Sequence, residues 1–232
     1  MEKAFVIIAI CSLLYSVSIK NNKIASVISL LSLGVLLVYR TFLYKHFPVI
    51  GLFETLNFYG FVTLLISLFM REKKPLEENL TNIFTLILLA FSLFAQSAAS
   101  PFLPDSLKTI LFPVHVAFSF ISYAFFTLAF INVISKGEAK TAMELNYFGF
   151  AVFTIGLWAG GIWAFKAWGA YFLFSIKEIF SFVIWVYYAG LIHVRFFRRK
   201  EVFVYYGTVI GFIIVIFTYI GIGLFMKNTH SL

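Results

Sequence analysis

The sequence predicts an all-α integral membrane protein of about eight transmembrane helices, with an aromatic outer-surface loop between the sixth and seventh. Two observations carry that expectation. Of the 232 residues, 62% are hydrophobic and only 12% charged, and the mean hydropathy is +0.97, far from the balance of a water-soluble domain. Apolar runs of membrane-spanning length also recur along the whole chain, more than one water-soluble core could hide. Thirty-one Phe against five Pro and fourteen Gly exclude a disordered or collagen-like chain.

The runs follow in order. Residues 4–18 sit behind the weakly charged start Met1-Glu2-Lys3, with no small-x-small cleavage site after them, which predicts an uncleaved helix rather than a signal peptide. Residues 24–44 carry Arg40 near their end, 51–70 carry Glu54 one turn inside their start, and 80–97 follow a charged loop. Residues 109–135 hold His115 near their beginning, and 143–164 lead into the aromatic stretch 165–177. Residues 178–197 contain His193 about 22 Å along the helix axis, and 202–226 end shortly before His230. With no internal repeat, long linker or low-complexity tract, residues 1–232 read as a single polytopic membrane domain.

Charge sets the expected orientation. The loops after the first, third, fifth and seventh helices hold eleven Lys and Arg, and the other side holds seven. Although the same four loops carry Glu72, Glu77, Glu78, Glu138 and Glu201, acidic residues contribute little to the rule, so the basic excess assigns these loops to the cytoplasm. The expectation is a multi-pass protein of the inner (cytoplasmic) membrane, with both termini and the aromatic loop outside. A net charge of +8 spread over short tracts between apolar runs speaks for orientation in a lipid bilayer and against nucleic-acid binding. The single Cys11 lies within the first run, so no internal disulfide, CxxC redox pair or thiolate metal cage can form, and no C-x-x-C-H haem attachment sequence is present.

Histidines are the main candidates for chemistry, because ionisable groups at membrane depth are costly unless they bind something. His115 and His230 fall in one outward-facing layer, His46 in the first outer loop shares it, and His193 lies too far toward the cytoplasm to join them. Two neutral imidazoles across an aromatic pocket suit low-spin haem iron, whereas zinc would want carboxylate or thiolate neighbours. The plainer alternative makes His115 a helix-end hydrogen bonder and His230 a tail residue. Glu178, after Lys177 at a helix start, is expected to act as a cap. Glu54 has three possible partners: Arg40, Lys45 or a ligand. The aromatic cluster at 163–174, with Trp163, Trp168, Tyr171, Phe172 and Phe174, offers flat rings that could enclose a planar hydrophobic ligand such as porphyrin.

Trp168-Gly169-Ala170-Tyr171-Phe172-Leu173-Phe174-Ser175-Ile176-Lys177-Glu178, with Gly161-Ile162-Trp163-Ala164 before it, resembles the tryptophan-rich W-G-x-Y-W-x-W-D-P-K-E signature of the cytochrome c assembly family. Phe47-Pro48 through Leu52-Phe53-Glu54-Thr55-Leu56 resembles that family's F-P-x-x-N-L-Y-E-S-L segment. Val114-His115-Val116 with Ser122-Tyr123-Ala124, Leu191-Ile192-His193-Val194-Arg195, and Thr229-His230-Ser231 resemble three further stretches. The chain is most similar to the CcsA (ResC) type, whose relatives include the CcmC, CcmF and HemX-like types.

The resemblance implies a haem-handling subunit of a cytochrome c maturation system, without a large soluble domain and acting within a cytochrome c synthase (haem lyase) complex. It implies haem b, bound non-covalently and transiently, with His115 and His230 as outer iron ligands and His193 as a transmembrane ligand completed by a second membrane subunit of the synthase (ResB type). Apocytochrome c would be the acceptor, and Trp163, Trp168, Gly169, Tyr171, Phe172, Phe174, Lys177, Glu178 and Glu54 the residues around the cofactor. Phe172 and Phe174 stand where the signature has tryptophan, Ser175 where it has aspartate and Ile176 where it has proline. Phe keeps a flat apolar face, but the indole N–H groups and any loop-ordering carboxylate at 175 are lost. Two other expectations therefore stand beside the first. One is a haem exporter, chaperone or HemX-like regulator without ligase activity; the other is a haem-free structural or transport subunit.

Overall fold

The computed structural model describes residues 2–18, 23–70, 74–95, 102–193 and 200–221. They form eight helices: α1 (Glu2–Ser18), α2 (Lys23–Tyr44), α3 (Leu52–Phe69), α4 (Pro75–Phe94), α5 (Leu111–Ile134), α6 (Ala139–Trp168), α7 (Ile176–His193) and α8 (Lys200–Ile216). A 3-10 turn, Asp105–Leu107, precedes α5, and a π-helical turn, Phe217–Gly221, continues α8. Among the described residues there is no strand, and seven helices are long and apolar enough to cross a membrane. The chain is a multi-pass, all-α membrane protein. Cys11 is exposed on α1.

Most helix ends shift by a few residues from the sequence expectation, and two of the shifts bring charged or aromatic residues into a helix. α4 starts at Pro75 rather than near residue 80, because Pro at the first helical position has its φ preset and lacks only an N–H that would be unpaired anyway. Glu77, expected in a solvated loop, therefore sits in the first turn of α4 and is buried. Its Oε1 accepts hydrogen bonds from Asn132 Nδ2 at 3.0 Å and Ser135 Oγ at 3.2 Å, tying the start of α4 to the end of α5. The amide end of α4 favours the same carboxylate. At this junction Lys74 Nζ also donates to the Lys136 carbonyl at 2.5 Å.

The second difference is at α6, which runs through Trp168 instead of stopping near residue 164. Its 30 residues span about 45 Å, against a hydrocarbon core of about 30 Å, so its last turns extend to the interface or beyond it. Gly169, in the left-handed conformation at φ 77°, ends the helix, and its N–H donates to the Phe165 carbonyl at 2.8 Å. The aromatic loop is thus 169–175, shorter than expected, and Trp163, Phe165 and Trp168 are helix residues.

α3 and α5 lie at the centre, each with more than half of its membrane segment enclosed by the other helices. Their contact is aromatic with a polar seam: Tyr59 Oη and Thr127 Oγ1 are 2.5 Å apart, and Tyr59 Oη also reaches the Tyr123 carbonyl at 3.3 Å. Phe126 stacks on Tyr188 of α7 with ring centres 3.6 Å apart. A smaller group, α1, α2 and α4, is joined by a closed triangle of neutral hydrogen bonds among Ser16, Ser26 and Asn82, all buried. In lipid, where burial of apolar surface between helices gains little, small residues and interhelical hydrogen bonds of this kind hold helices together.

Candidate functional site

α5 and α6 lie antiparallel, and near their loop-side ends the sequence leaves α6 two glycines one turn apart, Gly156 and Gly160. That spacing gives α6 a smooth face on which α5 can approach closely. His115, the fifth residue of α5, lays its ring in the gap. Its Nδ1 is 2.8 Å from the Gly156 carbonyl, and a Cβ at Gly160 would come within 2.5 Å of the same nitrogen. Trp163, one turn further along α6, lies nearly parallel to the imidazole, with 12° between planes and 6.4 Å between centres.

Trp163 is itself pinned. Its indole Nε1 donates to the Ser106 carbonyl at 2.7 Å, and its ring meets Phe112 at 5.1 Å and Trp168 at 4.7 Å. The 3-10 turn before α5 is thus fastened to α6. Beside that turn Lys108 Nζ lies 2.7 Å from Asp105 Oδ1, and the ammonium holds this exposed carboxyl below its usual range.

The loop beyond Gly169 presents aromatic rings outward. Trp168, Tyr171, Phe172 and Phe174 are all exposed, Phe174 at 76%. Phe165 and Tyr171 stack at 4.4 Å, and Phe172 meets Phe174 edge-on at 4.9 Å. Phe174 holds φ 58°, a left-handed backbone that costs a bulky residue roughly 1–2 kcal/mol. The compensation comes from α7. Glu178 Oε2 accepts from the backbone N–H on each side of Phe174, Leu173 at 2.9 Å and Ser175 at 3.0 Å. In return, the Glu178 N–H donates to Ser175 Oγ at 3.3 Å, so Ser175 and Glu178 form a reciprocal capping box at the start of α7.

Glu178 is therefore the cap that its position suggests, and Ser175 keeps the loop ordered where the signature has aspartate. The loop-ordering role expected to be lost at position 175 is thus retained, and the S-x-x-E spacing is the signal for it in the sequence. Replacing Ser175 with Ala should cost α7 about 1 kcal/mol, and Glu178→Ala should cost more, because two amides and a strained residue lose their support. Hydrogen exchange at the Leu173 and Ser175 amides checks this, with faster exchange expected in Glu178→Ala than in Ser175→Ala. Lys177, the neighbour, is exposed.

Of Glu54's three possible partners, the structure chooses Arg40. Arg40 is buried between two carboxylates, with Nη2 at 2.6 Å from Glu54 Oε1 and Nη1 at 2.7 Å from Glu2 Oε2. Tyr44 Oη reaches the other oxygen of Glu2 at 3.3 Å, and the Tyr44 and Phe53 rings each lie 4.9 Å from the guanidinium carbon. The cluster locks α1, α2 and α3 together at the loop side of the bundle. No sequence signal points to Glu2 as a partner, since 38 residues separate it from Arg40.

Among the described residues, no three histidine, cysteine or carboxylate side chains are gathered into one metal site. His46 is half-buried, with Nδ1 donating to the adjacent Phe47 carbonyl at 3.1 Å. His193 closes α7 at the opposite end of the bundle from His115, exposed, with Nδ1 donating to the Ala189 carbonyl at 2.6 Å. His230 lies outside the described residues. His115, Trp163 and Trp168 are brought together, and Tyr171, Phe172 and Phe174 stand on the same side, around the loop. The Gly156 carbonyl, Gly160 and the Ser106 carbonyl are additions that the sequence reading missed; the small-xxx-small spacing of Gly156 and Gly160 was the available signal.

Residues 2–230 match the family model described as cytochrome c assembly protein. Among similar curated proteins, the cytochrome c biogenesis protein CcsA of Chlamydomonas reinhardtii is 29% identical, over 92% of this chain and 69% of its own length. A protein of that name from a strain of Prochlorococcus marinus is 26% identical, over 98% of this chain and 90% of its own. That of Guillardia theta is 24% identical, over 89% and 83%. With its match running almost from end to end, the chain belongs to the cytochrome c assembly protein family.

Proposed function

We propose that this chain acts in cytochrome c biogenesis as a haem-handling subunit, binding haem at the outer face of the cytoplasmic membrane and presenting it to apocytochrome c. The observation that carries the reading is His115, an imidazole held between two helices beside Trp163, on the side of the bundle where exposed aromatic rings collect. The donor set fits the group: a histidine nitrogen suits haem iron, and flat apolar rings suit a porphyrin. When bound, haem supplies the vinyl groups that join to the thiols of a C-x-x-C-H sequence.

The chain's own residues would do the positioning. His115 would supply one iron ligand and His230 the other. Trp168, Tyr171, Phe172 and Phe174 would offer ring faces and exclude water, and the Ser175–Glu178 cap would hold that loop in shape. His193, exposed on α7, would face a second membrane subunit of the ResB type.

A carrier or regulator without ligase activity is the second reading. It is favoured by the loop's chemistry, since Phe replaces two indoles and the Ser175 hydroxyl is engaged in capping. One experiment tests both. The chain is expressed with its partner subunit and a secreted C-x-x-C-H apocytochrome, and covalent haem on the apocytochrome is followed by haem staining. Covalent product that depends on this chain is the expected result. Haem co-purifying with the chain but no covalent product would assign it the carrier role, and no haem in either would overturn the proposal.

A further inference from the structure

What His115 can bind depends on which of its nitrogens is available and on what fixes the ring. A carbonyl oxygen can only accept a hydrogen bond. A ring nitrogen 2.8 Å from the Gly156 carbonyl must therefore carry the proton, and in the neutral imidazole the other nitrogen, Nε2, keeps its lone pair. Ligating histidines generally depend on such a partner at the second nitrogen to set their tautomer and orientation.

The ring can reach that carbonyl only because α6 has no side chain at position 160. A Cβ there would lie 2.5 Å from Nδ1, 2.8 Å from Cε1 and 3.1 Å from Cγ of His115. Real Cβ atoms do not come that close to a rigid ring, so any other residue at 160 must drive the imidazole off the Gly156 carbonyl. One residue on, the situation is ordinary: a Cβ at Gly161 would meet only the Tyr171 carbonyl oxygen, at 3.7 Å. Trp163 borders the ring within 12° of parallel, and the Ser106 carbonyl in turn fixes Trp163.

We infer that Gly156 and Gly160 are positioning residues for His115: the Gly156 carbonyl selects the Nδ1–H tautomer, and the absence of a side chain at Gly160 lets the ring sit where Nε2 is the nitrogen offered to a ligand. The inference rests on the haem reading for the identity of that ligand, but not for the state of the ring. α6 thus acts on the site through its backbone.

The test uses the full-length protein labelled with ¹⁵N-histidine, as wild type, Gly160→Ala, Gly161→Ala and His115→Ala, the last to assign the His115 signals. Nitrogen NMR reads the tautomer directly, without added ligand. Haemin is then titrated into each unlabelled protein, and the Soret band is followed. The expected result is a proton on Nδ1 of His115 in wild type and Gly161→Ala, its loss or a tautomer mixture in Gly160→Ala, and haemin affinity about 10- to 100-fold weaker in Gly160→Ala than in wild type or Gly161→Ala, the range for loss of an orienting partner. A proton on Nε2 in wild type, or a Gly160→Ala protein whose tautomer matches wild type, would overturn the inference whether or not the variant folds well. A wild-type Nδ1–H tautomer with no haemin binding would instead sink the haem reading and leave the account of the ring standing.

Discussion

His115→Ala should remove the outer-site haem signal, and with it more affinity than the roughly 10- to 100-fold that losing an orienting partner costs a ligating histidine. The variant takes away the imidazole while sparing the aromatic loop, since Trp163 keeps its bond to the Ser106 carbonyl and Glu178 its bonds around Phe174. His46→Ala is the matched comparison: its ring is half-buried, held on the carbonyl of its neighbour Phe47 and beside Tyr44 rather than against Trp163, so its removal should leave the spectrum unchanged. Visible titration with haemin checks both. Equal binding by His115→Ala and wild type would mean that the aromatic surfaces, not the imidazole, hold the ligand.

Arg40→Leu should be the most damaging single change to stability, costing about 3–5 kcal/mol, the usual result of taking one partner from a buried ion pair. The leucine fills part of the space but leaves the buried Glu54 carboxylate without its guanidinium and releases Glu2 at the start of α1. Removing the charge on both sides, as in Arg40→Leu with Glu54→Leu, should recover much of that loss, because apolar replacement of a whole buried pair is often close to neutral. Arg40→Lys should fall between, since an ammonium cannot bridge two carboxylates with the planar fork that Arg40 uses. Thermal unfolding in detergent ranks these three variants against wild type. An Arg40→Leu protein that melts with wild type would show that the cluster contributes nothing net.

The membrane fold is plain in the sequence because each helix writes its own signal in a run of apolar residues, and the eight runs correspond to the eight helices. The ends are harder. α4 begins at Pro75 and α6 ends at Gly169, both marked by residues whose backbone preferences stop or start helices, yet hydropathy alone places those ends up to five residues away. For the site, His115 and the aromatic stretch stand out by residue type. What holds them does not: the Gly156 carbonyl has no side chain to announce it, and Arg40 meets Glu2 across 38 residues of chain. Glu178 is legible as a cap from its place at a helix start, while its grip on both amides around Phe174 depends on a loop shape that only the fold supplies.

The most direct test of the haem-handling role is the visible spectrum of the detergent-purified protein with its native partner subunits, oxidised and dithionite-reduced. The role predicts a low-spin, bis-imidazole haem spectrum that is weakened or altered in His115→Ala. The absence of haem from every preparation would contradict it, and would leave a family fold put to another use.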